Sequence, residues 1–373
     1  MKNKICVFGG GSLYRLPIYN EMSRRFGCDF HICEDDPKSG IKTYNHKELD
    51  GYSGSFYPRK VFSNFFWLRG AIKLFFKDYD VYVVGGPFGL TYWLFILFSF
   101  FSKKRIASWS HGMYGRETGV RKRLKVLFYN LCSMNFVYNE RAKQLMVENG
   151  ISEQKICTVY NSMDTVQDLK IRAGLQPRNI YKSYFNNDYP IAIFVGRVIK
   201  DKKLEMLVQA MSILKKQGNP INFFVVGKDV DGVNLKQVAI DNGVENEVYM
   251  YGPCYDNATL GDFYYNADIC ITPGAIGLTA ISSLTFGCPV ITHDDFSHQG
   301  PEFESVERGV TGDFFKASDV NDLASVITKW FSIHGESDRE QIRQNAYSVI
   351  DSKWNIYSEC DAFEKGFEKL KRK

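Results

Sequence analysis

Residues 191–214 read IAIFVGRVIKDKKLEMLVQAMSIL. The first five are apolar, short enough for a strand buried on both faces. Gly196 and Arg197 interrupt the run. Beyond them Leu204, Leu207, Val208, Met211 and Leu214 recur at helical spacing, so the segment is a strand, a basic turn and an amphipathic helix in that order. That succession is one unit of a parallel α/β sheet.

The same alternation runs from end to end. Strand candidates in the front half are Ile5–Phe8, Phe30–Cys33, Val81–Val84, Ile106–Ser110, Asn135–Tyr138 and Ile156–Val159. In the back half Phe223–Val226, Val248–Tyr251, Ile269–Thr272 and Val290–Thr292 follow Ile191–Val195. Residues 173–188, AGLQPRNIYKSYFNND, carry no apolar period and read as a linker. The expected fold is α/β, with two tandem Rossmann-like doubly wound domains at 1–172 and 189–353. A closing segment at 354–373 follows the second domain. No internal repeat or low-complexity tract interrupts this order.

The chain has 373 residues, 45% hydrophobic and 24% charged, too long for one ordinary core and unlike fibrous or disordered sequences. Its net charge of +5 is uneven: residues 1–172 hold 26 Lys+Arg against 15 Asp+Glu, and residues 173–373 hold 21 against 27. The front half is thus +11 and the back half −6, which points to an anionic partner for the front half. Nine scattered cysteines without a CxxC pair read as reduced and mostly buried, as in a cytoplasmic protein, and argue against structural zinc. The amino end, MKNKICVFGGGS, lacks the apolar core of a secretory signal. Between Asp80 and Lys103 no charge occurs, but Gly85-Gly86-Pro87 and Gly89 leave only Leu90–Phe101 as a continuous apolar run. A spanning helix needs roughly twenty residues, so a strand, a tight loop and a buried helix are expected instead.

Ligands in doubly wound sheets bind beyond the carboxyl ends of the strands, so four loops are candidates. Gly9-Gly10-Gly11-Ser12 follows the opening strand, and its glycines would let backbone approach a phosphate. It is not a dinucleotide fingerprint, because Tyr14 stands where the third Gly belongs. Gly196-Arg197, with Lys202 five residues on, can clamp a diphosphate from two sides. Gly277-Leu278-Thr279 opens a helix and presents backbone N–H groups to an anion. His111 lies in Ser110-His111-Gly112 at the end of a strand, where a structural and a functional role are both open.

Together these segments resemble the retaining family 4 glycosyltransferases (glycosyl transferases group 1) of GT-B fold. The motifs are GRVIKDKKLEMLVQAM, FFVVGKD, VYMYGP, NADICITPG, GLTAISSLTFGCPVI and ESVERGVTG, in the family's order. In the front half SHG at 110–112 and CTVYNSMD at 157–164 are in register. The resemblance implies two domains facing each other across a cleft, with a final helix at 354–373 packed back on the first domain. It implies that Arg197 and Lys202 neutralise the diphosphate of a nucleotide-sugar donor. Gly277, Leu278 and Thr279, with Gly196, would hold phosphate or sugar; Gly10 and Gly11 would approach the same phosphates, and His111 would contact the sugar. No metal or other cofactor is implied, since fixed cations and amides can stabilise a leaving diphosphate. The family usually carries two Glu around the third loop, and here Gly274 and Ser282 stand in their places. Ser282 offers the donor ribose only a short, uncharged hydrogen bond. A catalytically degenerate GT-B protein that binds a nucleotide-sugar or glycan is therefore the alternative.

Asp229-Val230-Asp231 resembles the metal-binding Asp-x-Asp of the other major glycosyltransferase fold, but lies in the second domain. No recognised nucleic-acid-binding motif accompanies the charge. Val61–Lys77, VFSNFFWLRGAIKLFFK, mixes aromatics with Arg69, Lys73 and Lys77, and Arg121, Lys122, Arg123 and Lys125 open another helix. Both suit interfacial helices on an anionic membrane, and equally ordinary core helices with a solvated basic face. The resemblance further implies a saccharide or a polyprenyl-diphosphate-linked saccharide as acceptor, held by the first domain. The chain would extend it in surface polysaccharide (capsule or O-antigen) synthesis, peripherally on the inner face of the cytoplasmic membrane.

Overall fold

A computed structural model describes residues 4–34, 42–335 and 338–371. The chain divides into two compact units, residues 1–164 with 355–373, and residues 165–354. The first unit holds β1 Ile5–Gly10, β2 Asp29–Cys33, β3 Tyr52–Phe56, β4 Pro58–Phe62, β5 Phe65–Leu68, β6 Val81–Val84, β7 Arg105–Ser110, β8 Met134–Val137 and β9 Ile156–Thr158. Seven of these form a parallel sheet in the order β3-β2-β1-β6-β7-β8-β9. The second unit holds β10 Ile191–Val195, β11 Asn222–Val226, β12 Val248–Gly252, β13 Ile269–Thr272, β14 Val290–His293 and β15 Gly312–Phe315, parallel in the order β12-β11-β10-β13-β14-β15. Both sheets reverse direction of growth beside their opening strand, at β1/β6 and β10/β13. Those reversals are where loops splay apart and leave room for a ligand.

The buried faces explain why these runs are strands. Val7, Val83, Ala107 and Phe136 lie in one core cluster, and Ala192, Phe223, Ile271 and Ile291 in another. On the helix Leu204–Lys216 the apolar stripe Leu204, Leu207, Val208, Met211 and Leu214 is buried against its sheet.

Three sequence expectations are revised. The boundary falls at Asp164/Thr165 rather than after residue 172, because the helix Thr165–Gly174 packs on Asn257–Asn266 of the second unit. Residues 173–188 are not a loose linker: Tyr181 and Phe185 are buried, and the Tyr181 hydroxyl donates to Phe263 O at 2.6 Å. Moving the boundary leaves the charge split at +11 (29 Lys+Arg, 18 Asp+Glu) and −6 (18 and 24).

Val61–Lys77 is not one interfacial helix. β4 and β5 pair antiparallel through a turn at Ser63, whose φ is 48°, and the Phe62 and Phe65 rings stack 4.7 Å apart. Gly70, at φ 82°, then starts a short 3-10 turn, Ala71–Phe76. Leu90–Ser99 is a ten-residue helix, and among the described residues no helix is long and apolar enough to cross a membrane.

The closing helix, Ile356–Lys371, packs on the helix Leu16–Phe26 and on β8 and β9. Of its KLKRK end, residues 372–373 lie outside the described residues. Phe363 meets Trp109 and Phe136 at 4.8 and 4.6 Å, and Gly366 lies flush on Phe136, where an added Cβ would come within 2.3 Å of the ring.

This helix also carries Glu359 into the core at 0% exposure. Its Oε2 accepts from Ser162 Oγ at 2.5 Å, and its Oε1 has no partner. Desolvation pushes its pKa from 4.5 up to about 8, against the opposing Ser162 hydrogen bond and Arg15 charge. Between those values the unfolded chain releases the proton while the folded chain retains it. The stabilisation is therefore full below 4.5 and lost as pH rises through about 8. Glu359→Gln is expected to be more stable than the unaltered protein at pH 8, by on the order of a few kcal/mol. The difference should nearly vanish at pH 5, as read by urea unfolding at the two pH values.

Candidate donor site

At the β10/β13 reversal, two loops are locked backbone to backbone. Gly274 N–H donates to Lys202 O at 2.8 Å, and Lys202 Nζ donates back to Ala275 O at 2.5 Å. Thr279 Oγ1 donates to Val195 O at 3.2 Å and ties the start of the helix Leu278–Thr285 to the end of β10. Gly196, at φ 153°, bends the chain out of β10, and Arg197 beyond it is exposed. The structure thus brings Gly196, Arg197, Lys202, Gly277, Leu278 and Thr279 to one sheet edge. Ser282 lies half-buried on the same helix.

Burial pushes the Lys202 pKa down; the charges of Glu302 and Asp201 oppose the shift, and Arg197 adds to it. An ammonium held this way, with one bond committed to Ala275 O, is in position for an anion. The helix Leu278–Thr285 has Gly277 as its N-cap without a side-chain cap, so its first N–H groups depend on other partners.

The missing motif Glu at 274 has a steric cause. A Cβ on Gly274 would lie 1.9 Å from Asp201 O and 2.7 Å from Lys202 Cα. Both are backbone atoms that cannot swing aside. Asp229 and Asp231 are occupied locally. Asp229 accepts from Val233 and Asn234 N–H at 3.0 and 2.9 Å, and Asp231 accepts from Lys200 N–H at 3.1 Å.

In the first unit the glycine loop differs from expectation. β1 runs on through Gly10, and Gly9 to Gly11 all have ordinary negative φ. Gly9 is a packing residue, since a Cβ there would come within 2.8 Å of the Tyr19 hydroxyl. Gly10 N–H already donates to Tyr19 Oη at 2.9 Å, and a Cβ on Gly11 would face the Glu34 carboxylate at 3.7 Å. A committed amide and a nearby carboxylate disfavour a phosphate, so the expected role of Gly10 and Gly11 is not supported by this geometry.

His111 is exposed and packs against Tyr138 and Tyr114, with ring centroids 4.9 and 5.8 Å away. Desolvation of the ring face packed on these tyrosines, then the Arg15 and Lys125 charges, favours its neutral form, a hydrogen-bonding group rather than a cation, although the residue as a whole remains exposed. Arg15, which sequence reasoning did not single out, lies over the rings of Tyr14, Trp109 and Tyr138 and donates to Tyr138 Oη at 2.7 Å. Glu117 was missed as well. It accepts from the Tyr114 and Gly115 N–H groups and pairs with Lys125 at 2.6 Å, while Lys125 also donates to Gly112 O at 3.1 Å. Lys125 is 9% exposed, so it is a strut of the 110–117 loop and not a cation facing a membrane. Helical spacing from Arg121 and Lys122 carried no sign of this.

Gly274→Glu, which restores the family residue, is expected to destabilise the second unit by about 3 kcal/mol or more, because backbone must move. Thermal unfolding of the variant checks this; an unchanged melting temperature would show that the two loops can separate freely.

Residues 176–349 match the family described as glycosyl transferases group 1. The capsular polysaccharide biosynthesis glycosyltransferase CapM of Staphylococcus aureus is 23% identical over 248 residues, 62% of this chain and 61% of that protein. The α-monoglucosyldiacylglycerol synthase of Acholeplasma laidlawii is 26% identical over 179 residues, 47% and 41% of the two chains. The matched region thus spans less than two thirds of either relative. Anabaena Alr3699/HepE, solved in complex with UDP, superposes with a TM-score of 0.71 at 14% identity over 98% of this chain and 99% of its own. The fold is therefore that of the GT-B glycosyltransferases, and residues 176–349 are similar to the glycosyl transferases group 1 family.

Proposed function

We propose that this protein is a retaining, metal-independent glycosyltransferase. It would move a hexose-like sugar from a nucleotide-sugar to a glycan acceptor of a surface polysaccharide or glycolipid. The observation that carries the reading is the Gly274–Lys202 clamp beside Arg197 at the β10/β13 reversal, which leaves two cations beside the site where a diphosphate would lie. In the reaction the bond between the sugar's anomeric carbon and the diphosphate oxygen breaks, and the leaving nucleoside diphosphate takes the electron pair. An acceptor hydroxyl forms the new bond on the same face and gives up its proton to the departing phosphate oxygen. Arg197 and Lys202 stabilise the charge that grows on the departing phosphate, a task a metal ion performs elsewhere. The similarity to CapM, a capsular polysaccharide glycosyltransferase, and to the A. laidlawii α-monoglucosyldiacylglycerol synthase supports a surface glycan or a lipid as acceptor.

Thermal-shift screening against UDP-, GDP- and dTDP-sugars tests this directly. One nucleotide series is expected to raise the melting temperature, the shift should disappear in Arg197→Ala and Lys202→Ala, and turnover should survive EDTA. Metal-dependent turnover would overturn the mechanism. The absence of Glu at both 274 and 282 favours a second reading, a binding protein without turnover, which stabilisation without product formation would support.

The acceptor part of the proposal places the +11 unit against an anionic membrane carrying a polyprenyl-diphosphate-linked glycan, on the cytoplasmic face. Arg121, Lys122 and Arg123 remain exposed on the helix Gly119–Leu131. With about 1 kcal/mol per basic residue at such a surface, changing all three to Gln should weaken co-sedimentation with phosphatidylserine vesicles about tenfold or more. Unchanged sedimentation would remove the membrane from the reading.

A further inference from the structure

Gly274 can hold no carboxylate, but the neighbouring loop brings one in. Glu302 lies in the 3-10 turn Pro301–Ser305 and is 4% exposed. Its Oε2 lies 3.9 Å from the point where a Cβ on Gly277 would stand, and 2.8 Å from the corresponding point at Gly300. The turn is bound to the 274–279 loop: Gly300 N–H donates to Ile276 O at 2.9 Å, and Ile276 N–H donates to Gln299 Oε1 at 2.7 Å. Gln299 in turn donates to Thr292 Oγ1 and His293 O, at 3.0 and 2.8 Å, and Ser305 Oγ to Glu302 O at 2.7 Å. The turn that bears Glu302 is thereby fixed, with the carboxylate beside the amino end of the helix Leu278–Thr285.

Charge decides what that end accepts. A diphosphate brought to Gly277 would meet a fixed negative carboxylate, whereas the hydroxyls of an uncharged sugar are donors that a carboxylate accepts strongly. Arg197 and Lys202 supply only donors and positive charge, so a site built from them alone binds phosphate without discriminating among sugars. We propose that Glu302 is the sugar-binding carboxylate of the donor site. It accepts hydrogen bonds from donor-sugar hydroxyls at the Gly277 end and leaves the diphosphate to Arg197 and Lys202. This assignment rests on the transferase reading above and replaces, from a different loop, the acidic residue lost at 274.

The test compares UDP-glucose with UDP by calorimetry, or the GDP or dTDP pair if that base is the one that stabilises the protein. Glu302→Gln is expected to weaken the nucleotide-sugar about tenfold or more, as for a lost hydrogen bond to a charged group, while the free diphosphate binds as well or better. Equal loss for both ligands would mark a residue that only holds the loop, and no loss for either would remove Glu302 from the site; both outcomes overturn the assignment. If Glu302→Gln does not fold, Glu302→Asp decides in its place. It keeps the charge with a shorter reach, so selective loss of the nucleotide-sugar supports the assignment and equal affinities refute it. Failure of the unaltered protein to bind any nucleotide or nucleotide-sugar would instead refute the transferase reading, and the assignment with it.

Discussion

The reciprocal bond between Gly274 N–H and Lys202 O, and between Lys202 Nζ and Ala275 O, is the contact on which the donor site depends. It joins the loops that leave β10 and β13 where the sheet order reverses, and it is possible only because position 274 has no side chain. Each consequence follows from that proximity. Lys202 is drawn into a desolvated place that lowers its pKa, and the Glu302 and Asp201 charges oppose that shift. A side chain, and so a carboxylate, is excluded from position 274, and the helix at Leu278 starts on the same sheet edge as Arg197 and Lys202.

The first unit achieves a similar rigidity by another route. Glu117 and Lys125 form a buried ion pair whose hydrogen bonds hold Tyr114, Gly115 and Gly112, so the loop bearing His111 is set before any ligand arrives. Such a pair adds little net stability, because desolvation of two charges offsets their attraction, but it specifies one loop conformation. Arg15 does comparable work among Tyr14, Trp109 and Tyr138 and connects the neighbourhood of Gly10 to that of His111. Glu359 is the contrast: a buried carboxyl with one oxygen unpartnered, retained in neutral form.

The charge asymmetry survives the redrawn boundary, because the residues exchanged between units balance. Its distribution changes more. Lys125 is committed inside the unit, and the aromatic-basic stretch 61–77 is a hairpin and a short turn that buries Leu68, Ala71, Leu74 and Phe75. The exposed cations Arg121, Lys122 and Arg123 are left to carry any electrostatic contact made by that helix.

Periodicity in the sequence was enough to determine the parallel α/β class and the main strands. It also marked the basic turn at Arg197 and Lys202, because strand alternation, helical spacing and glycine breaks are local properties of the chain. The edge strand β3 and the hairpin were not legible, since their pairing depends on partners far along the chain and a short aromatic run fits a strand or a helix equally. Only the tertiary structure decided that the Gly10 amide is used by Tyr19, that Lys125 points inward to Glu117, and that Glu302 stands beside Gly277. Each of those facts is a distance between groups that sequence spacing does not encode. A steric limit at Gly274, set by the backbone of Asp201 and Lys202 far earlier in the chain, excludes a side chain there, and no reading of the sequence alone reveals it.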